Sequence, residues 1–384
     1  MRRAFLLLGM MVLVACQTAV MPPTPTPVPT STSFPTALMG ETAVNQLFAS
    51  PAYGIQAFMW WKADIAQRDL QLIDKMGFGW VKQEFSWREI EGIKKGERDW
   101  YRPNLIVGMV EDAGLNLVVR LDRQPFWTEA DPLDLHDNAP PSNLQDFGDF
   151  CGAVAERYNG RIAAYQVWNE PNLSREWGNQ PPDPAEYTEL LKVCYQAIKA
   201  ADPNAIVISA GLAPTGTNDA TAMPDADFLQ GMYTAGASPY FDVLGLHAPG
   251  YKAPPELDPA EAAATPDYGG GRWFAFRHVE DMRAIMVANG DGAKQVAILE
   301  MGWTLDTVNP HYAWFAVDEQ TQADYLVRAY QYAQKNWQPW IGLMSSIYIA
   351  DYGWTEENEQ WWWSIVLPDG TPRLAYEALR EMEK

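Results

Sequence analysis

Short apolar runs alternate with longer amphipathic segments from about residue 54 to the C-terminal region. Most of the apolar runs are continuous, which is typical of parallel strands that are buried on both faces. The segments between them repeat apolar residues at the helical spacing. We therefore predict eight strands, each followed by a helix, with the strands at 54–61, 80–87, 115–122, 162–168, 205–212, 241–248, 295–301 and 341–349.

The clearest predicted helix follows Asp183, which is a good N-cap residue. Pro184 occupies the first helical position, and Glu186 is placed to reach back to the cap. Pro203 follows the end of this helix, where proline cannot continue it. Similar patterns predict further helices at 66–76, 101–113, 144–158, 225–236, 278–289, 320–336 and 373–382.

Eight strands that each precede a helix predict an α/β fold of the (β/α)₈ TIM barrel type. A doubly wound open sheet would require a glycine-rich turn after the first strand. The chain has WWKADI at that position, so we rank the open sheet second. We expect one barrel domain over residues 46–384.

The N-terminal residues follow a different pattern. Arg2 and Arg3 precede an apolar segment that is too short to span a bilayer, which is typical of a signal peptide. This segment ends in LVAC, residues 13–16, which resembles a bacterial lipobox. The resemblance implies that residues 1–15 are removed and that Cys16 is lipidated. The alternative is a plain secretory signal with an incidental cysteine.

Residues 16–45 are rich in proline and threonine and cannot form a core, so we expect a semi-rigid tether. Together with the lipobox, the tether predicts an exported protein that is lipid-anchored on the outer face of the bacterial cytoplasmic membrane or on the cell surface. The lipid anchor is then the only expected membrane contact.

The chain has 384 residues with 47% hydrophobic and 20% charged residues, which describes a globular protein with a large core. Its formal net charge of −21 repels nucleic acid, so we expect no nucleic-acid partner. The 17 Trp and 17 Tyr offer flat apolar faces that suit sugar stacking as well as core packing.

Metal chemistry is not indicated. The chain contains no CxxC or Cys/His spacing, and its four histidines are scattered, so we expect no metal and no cofactor. Cys151 and Cys194 fall on the buried faces of predicted helices. A free buried thiol is the default interpretation for each, and a disulfide between them is the alternative.

Polar residues occupy the C-terminal ends of the predicted strands, where a barrel places its active site. Glu170 follows the fourth strand and Glu300 ends the seventh, so both carboxylates face one cleft. Paired carboxylates of this kind suit glycosidic bond cleavage. The alternative for Asn169, Glu170 and Pro171 is an ordinary turn. Other polar or aromatic residues at strand ends are Lys82, Trp87, Arg120, Asp122, His247 and Tyr348.

The stretch WNEPNL, residues 168–173, resembles the acid/base signature of the clan A glycoside hydrolases, and it is especially similar to family 39. The second-strand stretch WVKQEFSWREIE is similar to family 39 and family 5. The resemblance covers residues 54–384 and implies a (β/α)₈ catalytic domain that retains anomeric configuration. It implies Glu170 as acid/base and Glu300 as nucleophile, with carboxyl groups about 5–5.5 Å apart.

The resemblance also implies that Asn169 binds the sugar 2-hydroxyl. Repulsion between the two carboxylates would raise the pKa of Glu170 and keep it protonated near neutrality. Three positions depart from the clan's pattern: Lys82 replaces an arginine, His247 and Tyr251 are four residues apart, and the usual strand-eight tryptophan is absent. The expected substrate-binding residues are Asn169, His247, Tyr251, Lys82, Arg120, Trp127, Trp303, Tyr348 and Trp354.

These observations predict a retaining glycoside hydrolase, acting as a monomer, that cleaves β-glycosidic bonds of a poly- or oligosaccharide by double displacement. Two alternatives stay open. One is a carbohydrate-binding lipoprotein without hydrolysis, and the other is a transglycosylase or hydrolase acting on the cell's own exopolysaccharide. The sugar, the linkage and the choice between exo and endo attack are not determined by the sequence.

Overall fold

The computed structural model describes residues 43–129 and 136–384. Eight parallel strands form a closed barrel in sequence order, and β1 pairs with β8 to close it. The strands are β1 (Ala52–Gln56), β2 (Trp80–Ser86), β3 (Asn116–Asp122), β4 (Ala164–Val167), β5 (Ile206–Ile208), β6 (Val243–His247), β7 (Gln295–Met301) and β8 (Ile341–Ser346). The predicted (β/α)₈ barrel is confirmed. Seven of the predicted runs contain one of these strands, and the first run, 54–61, overlaps β1, which begins two residues earlier.

Helices follow the strands around the outside of the barrel. Within the described residues they are α1 (Ala63–Met76), α2 (Trp87–Glu91), α3 (Tyr101–Asp112), α4 (Leu144–Arg157), α5 (Pro184–Ala201), α6 (Asp225–Thr234), α7 (Pro259–Ala264), α8 (His278–Ala288), α9 (Glu319–Asn336), α10 (Glu359–Trp363) and α11 (Leu374–Glu381). The short helices α2, α7 and α10 were not predicted, because five or six residues are too few to show a helical period.

The cap of α5 is partly as expected. The side chain of Asp183 accepts hydrogen bonds from the backbone N–H groups of Ala185 and Glu186, so it is the N-cap. The predicted return contact from Glu186 is wrong. Its carboxylate instead accepts a hydrogen bond from Nε1 of Trp177 at 3.1 Å, which ties the start of α5 to the loop after β4.

The inside of the barrel is filled by apolar side chains from the strands, including Val118, Ala164, Ile208, Val243 and Leu343. Phe48, from the segment before β1, packs into the same cluster. Gln295, at the start of β7, holds that segment by accepting hydrogen bonds from the backbone of Leu47 and Phe48. Phe48 and Gln295 thus tie the segment before β1 to the barrel.

Cys151 in α4 and Cys194 in α5 form a disulfide, with 5.4 Å between their Cα atoms. The default interpretation of two free thiols is therefore wrong. The two helices flank β4 and pack closely, because Gly148 and Gly152 on α4 leave room for the side chains of α5. A helical pattern shows which face is buried but not which cysteines meet, so the sequence left both interpretations open.

The predictions for the N-terminal region, namely the signal peptide of residues 1–15, Cys16 and most of the tether of residues 16–45, lie outside the described residues. Among residues 43–129 and 136–384, none of the helices combines the length and the apolar character that crossing a membrane requires.

Candidate active site

A cleft of about 1120 Å³ opens at the C-terminal ends of the strands, and loops from all eight strands line it. Glu170, at the end of the β4 segment, and Glu300, on β7, both face this cleft. Both carboxylates are largely shielded, with 14% and 16% of their side chains exposed. The barrel thus brings together the two carboxylates that the sequence singled out.

His247 links these two carboxylates. Its Nδ1 atom lies 2.9 Å from Oε1 of Glu170 and 3.8 Å from Oε2 of Glu300. Because one ring atom contacts both groups, the two carboxylates are neighbours across the cleft floor. Gly211 gives the ring its room, since a Cβ atom at this position would lie 2.1 Å from Nε2 of His247.

The loop that presents Glu170 has an unusual backbone. Trp168 and Glu170 have φ angles of 71° and 40°, in the region that side chains other than glycine rarely adopt. Each such residue costs about 1–3 kcal/mol and needs surrounding contacts to hold it. Trp168 is fully buried, and its Nε1 donates to the carbonyl oxygen of Glu176. The N–H of Glu170 donates to the carbonyl oxygen of Gly211.

Asn169 also lies in the cleft lining, beside Glu170. Its side-chain oxygen accepts a hydrogen bond of 3.3 Å from Nε2 of Gln166, which orients the amide. Its backbone pairs with Gly211, at the end of the neighbouring β5 segment. The WNEP stretch is therefore more than a turn, because it aims an amide and a carboxylate into one cleft from a fixed backbone.

Glu300 is held as an anion. Burial raises its pKa, but the charges of Lys82 and His247 outweigh burial, and the pKa is below its ordinary value. Nζ of Lys82 lies 3.0 Å from Oε1 of Glu300, and the hydroxyl of Tyr348 lies 3.5 Å from Oε2. Lys82 is buried behind Glu300 and does not line the cleft, so its predicted contact with substrate is wrong.

Arg120 belongs to an ion-pair network at the cleft wall. It pairs with Glu84 and with Asp122, and its Nη1 lies 3.9 Å from Oε1 of Glu300. Arg123 pairs with the other oxygen of Glu84 at 2.9 Å. Arg120 lines the cleft as predicted, but its charge is largely matched by carboxylates of the barrel.

The predicted protonation of Glu170 is wrong for the cleft as it stands. Burial raises the pKa of Glu170, but the hydrogen bond and charge of His247, together with the charge of Arg175, outweigh burial and bring the pKa to about 2. Nη2 of Arg175 lies 2.7 Å from Oε2 of Glu170. Repulsion by Glu300 is too weak to offset these two donors, so Glu170 is ionised at neutral pH.

The predicted aromatic residues fall into two groups. Tyr251, Tyr348 and Trp354 line the cleft as expected. Trp303 is fully buried, and its Nε1 donates to the carbonyl oxygen of Ala253. Trp127 packs against the outer helices, where its Nε1 donates to the carbonyl oxygen of Glu91. Neither of the last two lines the cleft, so their predicted roles in substrate binding are wrong.

Sequence reasoning assigned no site role to several residues of the cleft. Arg175 follows the WNEPNL stretch directly and contacts Glu170, but no pattern predicts which way an exposed loop arginine turns. Trp60 and Trp61, after β1, also line the cleft, and 51% of Trp61 is exposed. They end the first predicted strand, 54–61, and a barrel binds ligands at the C-terminal ends of its strands, so this position was the available indication.

Two carboxylates at β4 and β7 of a closed (β/α)₈ barrel are the arrangement that the resemblance to the clan A glycoside hydrolases implies. Residues 40–235, half of the chain, match the family model described as Cellulase (glycosyl hydrolase family 5). The chain belongs to this family. A search of curated proteins found no match.

Solved structures of low sequence identity share the fold. A family 39 glycoside hydrolase from the gut symbiont Bacteroides cellulosilyticus WH2 has a TM-score of 0.62 and 18% identity, over 88% of this chain and 64% of that chain. The protein GH5_18 from Streptomyces cattleya, in complex with GlcNAc, has a TM-score of 0.64 and 13% identity, over 87% of this chain and 80% of that one.

The exo-beta-1,4-mannosidase Op5Man5 from Opitutaceae bacterium strain TAV5 has a TM-score of 0.58 and 18% identity, over 89% of this chain and 61% of that chain. This chain thus spans less than two thirds of the length of this structure and of the family 39 structure. At these identities the similarity shows the barrel fold alone.

Proposed function

We propose that the protein is a retaining glycoside hydrolase that cleaves β-glycosidic bonds of a poly- or oligosaccharide. One observation carries the proposal: Nδ1 of His247 lies within 4 Å of both Glu170 and Glu300, which places two carboxylates side by side on the cleft floor. Carboxyl groups about 5–5.5 Å apart are typical of retaining enzymes, whereas inverting enzymes separate them by roughly 6.5–9.5 Å.

In the first step Glu300 attacks the anomeric carbon while Glu170 gives its proton to the leaving oxygen. The result is a covalent glycosyl-enzyme and a free leaving-group sugar. In the second step the ionised Glu170 takes a proton from water, and the resulting hydroxide displaces Glu300. Lys82 supports this assignment, because the adjacent buried cation keeps Glu300 in the ionised form that a nucleophile requires.

Asn169, beside Glu170 in the cleft lining, is the proposed partner of the sugar 2-hydroxyl. Tyr251, Tyr348 and Trp354 supply aromatic surface at the cleft wall, which suits the apolar faces of pyranose rings. The cleft lining contains seven carboxylates and four arginines, so it is acidic on balance. We infer a neutral substrate, because an acidic cleft in a chain of net charge −21 disfavours anionic polymers.

We also propose that the protein is exported and lipid-anchored through Cys16, and that it acts as a monomer. The apolar leader and its LVAC end support this location. The Cys151–Cys194 disulfide is in keeping with it, because disulfides persist mainly in oxidising compartments. Globomycin treatment of expressing bacteria tests the anchor. The wild-type protein should accumulate as a lipidated, uncleaved precursor, whereas a Cys16→Ala variant should form no lipidated precursor.

The test of the reaction is a screen of the wild-type protein on aryl β-glycosides and insoluble β-glycans, with the product anomer followed by NMR. A β product formed first supports retention, and an α product contradicts the proposed mechanism. Glu170→Gln should abolish hydrolysis of substrates with poor leaving groups and keep binding. Glu176→Gln is the matched control, because Glu176 lines the same cleft on the same loop but contacts neither Glu300 nor His247 in the described residues.

A binding protein without hydrolysis remains the second candidate, and one observation favours it. Both oxygens of Glu170 already accept hydrogen bonds, from His247 and Arg175, and the low pKa of Glu170 disfavours proton donation. Tight binding of an oligosaccharide without turnover by wild-type protein would support this candidate. Transfer of sugar to an added acceptor, measured by product analysis, separates a transglycosylase from a hydrolase.

A further inference from the structure

The loop after β4 places a cation directly on the proposed acid/base. Nη2 of Arg175 lies 2.7 Å from Oε2 of Glu170, while His247 occupies Oε1. Each oxygen of Glu170 therefore already accepts a hydrogen bond, and both donors favour its ionised form. A general acid must hold a proton and direct it at the leaving group, so the departure of one donor would favour this role.

Arg175 is the donor that can move. Its side chain is 67% exposed, whereas that of His247 is 3% exposed and is enclosed by Gly211. Arg175 also has other acidic neighbours. Its Nε lies 3.9 Å from Glu176, and its charge partly offsets the burial that raises the pKa of Glu359. A swing of the guanidinium away from Glu170 therefore keeps it among carboxylates.

Several elements direct charged or titratable groups at Glu170. His247 and Arg175 favour its ionised form, while the carboxylates oppose it. The charged or titratable groups around Glu170 are His247 and Tyr251 from the β6 end, Arg175 and Glu176 after β4, Glu300 on β7, Tyr348 after β8 and Glu359 in α10. Once Arg175 leaves, a charge that favours the ionised form is lost while the neighbouring carboxylates still oppose it, so Glu170 takes up a proton more readily.

We propose that Arg175 is a positioning residue that holds Glu170 in the empty cleft and releases it when the glycosidic oxygen of a substrate arrives. This inference rests on the proposed hydrolase function. After release, Glu170 takes one proton from solvent. That proton passes to the leaving oxygen as the glycosidic bond breaks and Glu300 bonds to the anomeric carbon. The ionised Glu170 that results takes a proton from water in the second step. It returns one proton to solvent after the product departs and can then bind Arg175 again.

The first test compares pH profiles of wild type and Arg175→Ala on a phenyl β-glycoside of the sugar identified by the screen. The pH dependence of kcat/KM reports the free enzyme, and that of kcat reports the complex. In wild type, the decline of kcat/KM with rising pH should begin at a lower pH than the decline of kcat. In Arg175→Ala this gap between the two pH values should shrink by about one pH unit or more, because a carboxylate that loses a neighbouring arginine regains a higher pKa.

Two variants control this comparison. Arg175→Lys keeps the charge and should restore most of the gap. Arg123→Ala removes the same charge from the cleft lining, but Arg123 pairs with Glu84, so the gap should stay as in wild type. Coincident profiles in active wild type, or an unchanged gap in Arg175→Ala, would overturn the inference while leaving the hydrolase function intact.

A second test needs no activity. In protein labelled with ¹³C at the glutamate carboxyl carbon, the Glu170 resonance is assigned by its loss in Glu170→Gln. Its titration should move to higher pH in Arg175→Ala, and it should stay near the wild-type position in Arg175→Lys. An unmoved Glu170 titration in Arg175→Ala contradicts the inference even if no substrate is found. Absence of hydrolysis by wild type, in contrast, contradicts only the proposed function.

Discussion

Nζ of Lys82 lies 3.0 Å from Oε1 of Glu300, and the two residues come from strands that are not neighbours in the barrel. Lys82 is 1% exposed, so the pair is inside the protein. Nζ also donates to the carbonyl oxygen of Leu299, which fixes its position. A buried cation beside a buried carboxylate is held in place by that carboxylate, and removal of either partner leaves an uncompensated charge.

The Lys82→Met variant should therefore lose activity. Lys82 lowers the pKa of Glu300, so its removal raises that pKa. A nucleophile acts in its ionised form, and activity is lost as pH falls through its pKa. The acidic limb of kcat/KM should thus move to higher pH, with a loss of about tenfold or more at neutral pH. The measurement is the pH profile of kcat/KM on an activated aryl β-glycoside.

Lys82→Arg is the control for charge. It keeps the cation, so its acidic limb should stay closer to that of wild type, although the larger guanidinium disturbs the packing. Thermal unfolding of both variants shows whether they fold. An acidic limb in folded Lys82→Met that coincides with the wild-type limb contradicts the proposed effect of Lys82 on Glu300.

Gly211→Ala should disturb His247. The new Cβ atom would lie 2.1 Å from Nε2 of His247, so the ring must move away from Glu170 and Glu300. A misplacement of about 1 Å at an active site can cost on the order of 100-fold in rate. We expect a loss of kcat of this order, measured on an aryl β-glycoside, and a displaced ring in a crystal structure of the variant.

A double-mutant cycle controls this prediction. If Gly211→Ala acts by moving the ring, it should cost much less activity in a His247→Ala background. Gly79→Ala is a further control, because a Cβ atom at this position meets no atom of the described structure within 4 Å. Additive losses in the cycle would show that Gly211 acts by a route other than His247.

Trp61 should contribute to the binding of longer substrates. It is 51% exposed at the cleft, and the guanidinium of Arg102 stacks on its ring at 4.2 Å, which holds the ring in place. Trp61→Ala should raise the KM for an oligosaccharide by about three- to tenfold and leave that for an aryl monoglycoside nearly unchanged. Trp314→Ala, also exposed but outside the cleft lining, is the matched control. Equal effects on both substrates would contradict this role.

Stability should depend on pH through His278 in α8. Its ring lies between Asp225 at 3.1 Å and Asp281 at 2.8 Å. Burial lowers the pKa of His278, but the two aspartates outweigh burial and raise it to about 9. Because the folded pKa exceeds the unfolded value of about 6.5, this site stabilises the fold fully below pH 6.5. That stabilisation, about 3 kcal/mol, is lost as pH rises through 9.

Urea unfolding at pH 6 and pH 9.5 measures this effect. Wild type should lose stability between these values, and His278→Gln should be less stable than wild type at pH 6 but show a smaller change with pH. Lys192, whose ion pair with Glu189 is exposed on α5, supplies the control variant Lys192→Gln, which should keep the wild-type pH dependence. An equal pH dependence in wild type and His278→Gln would contradict the assignment.

The sequence predicted the barrel because each strand is a continuous apolar run. Such a run is recognised from its own residues, whatever conformation the loops between the strands adopt. It also placed Glu170, His247 and Glu300 near one another, since strand ends of a barrel meet on one face. Lys82 was assigned to the cleft on the same argument. That assignment was wrong because its side chain points to the interior, behind Glu300.

Aromatic residues and protonation were harder to predict. Trp303 follows β7 as Trp354 follows β8, but only the second lines the cleft, because the packing of distant loops decides which ring is covered. The pKa of Glu170 depends on His247, 77 positions away in the sequence, and on the direction in which Arg175 turns. No sequence pattern predicts either contact. The sequence therefore led to the expectation of a raised pKa for Glu170, whereas these contacts lower it.

The bond between Cys151 and Cys194 closes a covalent ring of chain that contains β4, Glu170 and Arg175. A protease that cuts one peptide bond within this ring would leave the two pieces attached to each other. The strand that precedes Glu170 would then stay in its place between β3 and β5. Such a ring would limit a single cut in the exposed loop around Arg175 to a local nick, because the disulfide still joins the two sides of the cut.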